Sequence, residues 1–175
     1  MALTALAIPS QVTTFPCPFD ATLAFTDTQT LTATGYLNNL NSGLLDLGGA
    51  KPVSAVGRTD FIWNIDITTI DVSSADETYQ FALLGSNDSA FGNGNVELLA
   101  FYDVAAASSG RVIATLLGAT PTIPPTGLGG MLIQKPATNL ALRIYYRYLK
   151  ARVIIGGTTP NLICTSWISK ACVDV

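Results

Sequence analysis

Histidine is absent from all 175 residues of this chain. That removes the commonest general base and the commonest side-chain metal ligand together. It also excludes the Ser-His-Asp and Cys-His forms of nucleophilic catalysis. Charge is scarce as well: 12% of residues are Asp, Glu, Lys or Arg, against about 25% in an average soluble domain. No Lys or Arg precedes Lys51, so the opening MALTALAIPS lacks a basic n-region and no cleaved signal is expected. The three cysteines, Cys17, Cys164 and Cys172, form no CxxC pair. They are too few for a disulfide framework and wrongly spaced for zinc. Cys164, inside an apolar run, reads as a buried thiol. No apolar run approaches the ~20 residues of a membrane span. A net charge of −3 disfavours nucleic acid, which needs a basic excess. The absences together lead us to expect no enzyme activity, cofactor, metal, membrane or direct nucleic-acid contact.

What is present is apolar and small-polar. Hydrophobic residues make up 49% of the chain. Free-standing domains usually carry more surface charge for solubility, so the shortfall points to an exterior covered by partners or sister copies. The competing explanation is a weakly charged sandwich that stands alone. The length suits one domain, with 21–175 as the domain and 1–20, rich in proline and carrying Phe15 and Phe19, as an extended arm.

Period-two alternation, broken by Gly, Pro, Asn and Ser, predicts an all-β chain of about 8–10 short antiparallel strands. The clearest covers 61–71, with Phe61, Trp63, Ile65 and Ile67 on a buried face and Asn64, Asp66 and Thr68 on a wet one. Others are expected at 78–84, 96–102, 112–117, 130–134, 140–150, 151–155 and 161–169, with weaker ones at 21–25 and 29–34. Residues 97–107 read equally as a short helix or a strand. In 140–150, Leu142, Ile144, Tyr146 and Tyr148 alternate against Arg143, Tyr145 and Arg147, with a bend where basic parity shifts before Lys150. The Pro/Gly-rich stretch 119–130 is expected to be irregular. Spacing and turn signals imply a β-sandwich or jelly roll.

A search for chemistry returns little. Asp66 and Asp71 differ in strand parity and so should face opposite sides, which does not suit paired-carboxylate hydrolysis. The Asx-rich loop around Asn87-Asp88 carries oxygen ligands but misses EF-hand spacing, and such loops usually make their own turns. Gly92-Asn93-Gly94 lacks the third glycine and the helix of a phosphate loop. One charge feature remains. Arg143, Arg147, Lys150 and Arg152, four of nine basic residues, fall within ten positions beside Tyr145, Tyr146 and Tyr148. Arg and Tyr anchor protein interfaces, so Arg143, Tyr145, Arg147, Lys150, Arg152 and the arm residues Phe15 and Phe19 are the candidate interface residues. A solvated strand face is the alternative.

Four stretches in order carry a resemblance: FIWNIDITTID (61–71), YQFALLGSND (79–88), ATPTIPPTGLGG (119–130) and LALRIYYRYLKARVIIGGTTPNLICTSWI (140–168). Together they resemble the jelly-roll capsid cement, or head decoration, proteins of tailed bacteriophages, over roughly residues 55–170. The resemblance implies a non-enzymatic homo-oligomer, a trimer in preference to a dimer, on the outer surface of the virion. There it would bridge neighbouring major capsid proteins against the pressure of packaged DNA. Two other functions fit the same fold: a minor tail or baseplate protein, and a carbohydrate-binding sandwich using exposed aromatics such as Trp167 and Tyr145.

Overall fold

A computed structural model describes residues 21–48, 57–71, 76–92, 96–104 and 131–170. They form strands β1 (Ala24–Leu31), β2 (Gly35–Tyr36), β3 (Leu45–Asp46), β4 (Asp60–Ile70), β5 (Thr78–Ser86), β6 (Val96–Val104), β7 (Met131–Thr138), β8 (Leu140–Ala141), β9 (Ile144–Tyr145), β10 (Tyr148–Gly156) and β11 (Leu162–Lys170). All pairings are antiparallel. The chain is paired like one long hairpin. β1 meets β11, β2 and β3 share one flank of β10, β4 meets β7, and β5 meets β6. Rolling that hairpin sets β11 beside β4 and β10 beside β5, which gives sheet A (β1-β11-β4-β7) and sheet B (β2/β3-β10-β5-β6). β8 and β9 form a separate small hairpin.

One hydrophobic cluster draws on both sheets, so they pack face to face as an all-β sandwich. Phe61, Trp63, Ile65 and Ile67 of β4 and Leu162, Cys164 and Ile168 of β11 meet Tyr79, Phe81 and Leu83 of β5 and Leu149, Ala151 and Val153 of β10. The expected inward face of β4 is therefore observed. Its outer face is less wet than the alternation suggests, because Asn64 is fully buried. The Asn64 amide donates to Ser169 Oγ at 3.0 Å and accepts from Gln134 Nε2 at 3.2 Å, which compensates the loss of water.

Several expectations need correction. The 97–107 ambiguity resolves to strand, since β6 runs to Val104. β7 is longer than expected and contains Pro136; an edge position, paired only with β4 among the described residues, tolerates the missing donor. The two weak N-terminal strands merge into β1, while β2 and β3 carry too few residues to show periodicity. A bulge leaves Thr68 between Ile67↔Cys164 and Thr69↔Ile163, so Ile70 is buried like Ile67. Parity counted straight through to Asp71 therefore fails. The proposed strands at 112–117, the irregular stretch 119–130 and the arm 1–20 lie outside the described residues.

Trp63 Nε1 donates to Ser166 Oγ at 2.9 Å, with both residues fully buried. Ser166→Ala should cost about 1–3 kcal/mol, because the indole N–H loses its partner without gaining water. Urea unfolding monitored by tryptophan fluorescence checks this. Thr165→Ala, which removes only exposed bonds, should cost under about 1 kcal/mol.

Candidate protein interface

The stretch 140–150 does not form one strand. Ala141 pairs with Ile144, so Leu142 and Arg143 make a two-residue turn, and both have positive φ, 49° and 66°. That is the twist a tight hairpin needs, but bulky L-residues adopt it at a cost of roughly 1–2 kcal/mol each. The base is held firmly. Asn139 is fully buried; its Oδ1 accepts from Thr59 N at 2.8 Å, and its amide donates to Gly57 O and Tyr146 O. Tyr146 N donates back to Asn139 O at 2.8 Å. Asn87 clamps the other side, donating to Tyr145 O and accepting from Arg147 N. Tyr146 is buried over Gly85, where a Cβ would come within 2.9 Å of it. The tip is the opposite of buried: Leu142 is 75% exposed and Ile144 49%.

This clamp divides the basic cluster. Arg143 and Tyr145 are exposed on the hairpin. Arg147 sits at its base and grips Asp46 bidentately, with two 2.7 Å bonds. It also stacks on Tyr148 at 5.0 Å. Arg147 thus ties β3 to β10 rather than facing a partner. Lys150 and Arg152 lie on the outer face of sheet B, where Lys150 Nζ is 4.8 Å from the Phe91 ring and 5.4 Å from the Tyr36 ring, and Arg152 is 5.8 Å from Tyr36. Among the described residues no carboxylate pairs with Arg143, Lys150 or Arg152. Phe15 and Phe19 lie outside the described residues. Trp167 is buried, so of the two aromatics considered for sugar stacking only Tyr145 is exposed.

Sequence reasoning missed the apolar component. On the outer face of sheet B, Phe101 of β6 pairs with Ala82, which pairs with Arg152, which pairs with Tyr36. In the next row Leu98, Leu84 and Lys150 align. A bulge at Leu99 keeps both Leu98 and Phe101 on the outside, 50% and 40% exposed. The bulge hides this from period-two reading.

Among the described residues no group of three or more His, Cys, Asp or Glu side chains could hold a metal ion. Asp88 spends both oxygens on its own loop, accepting from Ala90 N and Gly92 N. Asp76 accepts from Thr158 N and Oγ1, which holds it below the ordinary carboxylate range. Partial burial raises Asp66. Burial also pushes the Cys164 thiol up to about 12, so it stays protonated and unreactive at neutral pH.

No protein-family model matches the chain, and no curated protein is significantly similar to it.

Two predictions follow from the geometry. Leu142→Gly should stabilise the fold by roughly 0.5–1 kcal/mol, since glycine accepts positive φ freely; thermal unfolding reads this out. The Arg147 hydrogen bonds hold Asp46 below its ordinary range, so this pair stabilises above the unfolded carboxylate value, near pH 4. That contribution is lost as pH falls through the lowered folded value. Solvent screening keeps that contribution small. Arg147→Ala should accordingly destabilise at pH 7 and do so less at pH ~2, as measured by urea unfolding at the two pH values.

Proposed function

We propose that this sandwich is a jelly roll and that the chain is a non-catalytic decoration protein of a tailed-phage head. It sits on the outside of the shell and bridges neighbouring major capsid proteins. The observation that carries the reading is the β8–β9 hairpin, an apolar tip in a strained turn on a doubly clamped base. Unfavourable backbone conformations persist where surrounding structure enforces them, and they cluster at functional sites. A rigid apolar knob loses little entropy on docking, which suits a protein that must brace a shell. Arg143 beside the knob supplies charge for an acidic rim on the partner. The pairing of strands as a rolled hairpin supports the jelly-roll assignment, and the charge-poor, histidine-free composition suits a covered, non-enzymatic surface.

Two measurements test this. Cryo-electron microscopy of particles of the phage encoding the chain should place it on the head exterior. Its copy number should be on the order of hundreds, as icosahedral symmetry requires; a handful of copies at the tail would instead make it a tail or baseplate component. Changing Leu142 and Ile144 together to Asp should weaken binding to DNA-filled heads by roughly thirtyfold or more, as loss of a buried anchor does. The fold should persist, because both side chains are exposed in the free chain. Undiminished binding would remove the hairpin from the contact.

A further inference from the structure

We infer that the outer face of sheet B is the surface by which two copies of this chain pair, about a two-fold axis running along β5. The inference goes beyond the decoration reading and does not depend on it, since it concerns the free protein.

The argument starts from register. Three cross-strand rows span this face: Arg152–Ala82–Phe101, Lys150–Leu84–Leu98 and Ile154–Gln80–Asp103. β5 contributes the middle of each row, with buried Ala82 and half-buried Leu84 and Gln80. The flanks differ. On β10 stand the cations Lys150 and Arg152; on β6 stand exposed Leu98, Phe101 and Asp103. A two-fold axis along β5 keeps each row in place and exchanges its ends. Arg152 then lies over Phe101 of the second copy and Lys150 over Leu98. Asp103 of the second copy is two residues along its strand from Phe101, within reach of Arg152.

That exchange brings Arg152 to complementary groups and lays the Lys150 stem along Leu98. Arg152 already stacks on Tyr36 and gains a second aromatic surface, a pairing that strengthens when desolvated. Arg152, which has no carboxylate partner among the described residues, gains Asp103. Small Ala82 on the axis lets the two sheets approach to the ~10 Å of stacked sheets. Ala82 and Leu84 make two of the three axis positions apolar, and the charges flank them. Self-complementarity of one patch is the requirement for an isologous two-fold contact. An axis perpendicular to the strands would instead stack β10 on β10 and set Lys150 and Arg152 against their own copies.

The area suits a weak, reversible pair. Three nine-residue strands, β10, β5 and β6, at about 4.8 Å spacing and about 3.3 Å rise span roughly 430 Å² per copy. That is about 860 Å² in total, in the range of small transient contacts.

Sedimentation velocity of the full chain across a concentration series up to hundreds of micromolar tests the inference, and a dimer is expected at the upper end. Phe101→Asp should shift the species to monomer, weakening association by roughly thirtyfold or more, with an unchanged circular dichroism spectrum because Phe101 is exposed. Arg152→Asp and Asp103→Arg should each weaken pairing alone. Their equimolar mixture should recover dimer, because the heterodimer restores an opposite-charge contact at both symmetric sites. A wild-type monomer or trimer would overturn the inference. So would a Phe101→Asp dimer, or a charge-swapped mixture that stays monomeric. Monomeric wild type whose binding to heads is lost on Phe101→Asp would assign the face to the shell protein instead.

Discussion

The fold depends on how four central strands are joined at one end. β4 leads to β5 and β10 leads to β11, and both connections cross from one sheet to the other. They are tied together there. Gly157, with φ of 102°, lies so close to the β5 approach that a Cβ would fall 2.5 Å from Glu77 Cα. Thr158 donates twice to Asp76. Tyr79 Oη donates to Asp71 O at 2.6 Å and accepts from Asn161 N at 3.1 Å. Burial raises that hydroxyl to about 12, so it remains a donor across the physiological range. Every other long strand hangs on this pinned quartet, which explains why the two sheets share one core rather than slipping past each other.

The opposite end of sheet B is built on different principles. There the chain uses buried amides, Asn139 and Asn87, to hold irregular backbone in place. Such bonds satisfy groups that a regular ladder would have satisfied, and they leave the β8–β9 tip free of packing. The tip is therefore rigid at its base and apolar at its end. Leu98, Phe101 and Ile154 are likewise exposed on the outer face of sheet B. Leu98 and Phe101 stand close together on β6, whereas Ile154 lies two strands away on β10, across Gln80.

How legible this was in the sequence depended on local regularity. β4, β5 and β11 were readable because their alternation is long and one face is buried. Residues 140–150 were misread for a clear reason: apolar and basic residues alternate there, yet Leu142 and Arg143 turn the chain. No glycine or asparagine announces that turn, and the clamps that enforce it come from Asn139 and, 58 residues from Tyr145 along the chain, Asn87. The bulges at Thr68 and Leu99 had the same effect, since each reverses parity without a local signal. Arg147 stands among basic neighbours in the sequence, but its partner Asp46 lies 101 residues away.

By itself the amino-acid sequence determined the class of fold and the chemistry that is closed to this chain. Alternating patterns commit residues to strands through short-range sterics and burial, and a missing imidazole is missing in any conformation. Only the tertiary structure decided which side chains are exposed together. Exposure of Leu142, burial of Trp167 and the alignment of Arg152, Ala82 and Phe101 all arise from pairing between distant segments. Register across a sheet is a long-range property, and a single bulge is enough to redirect it.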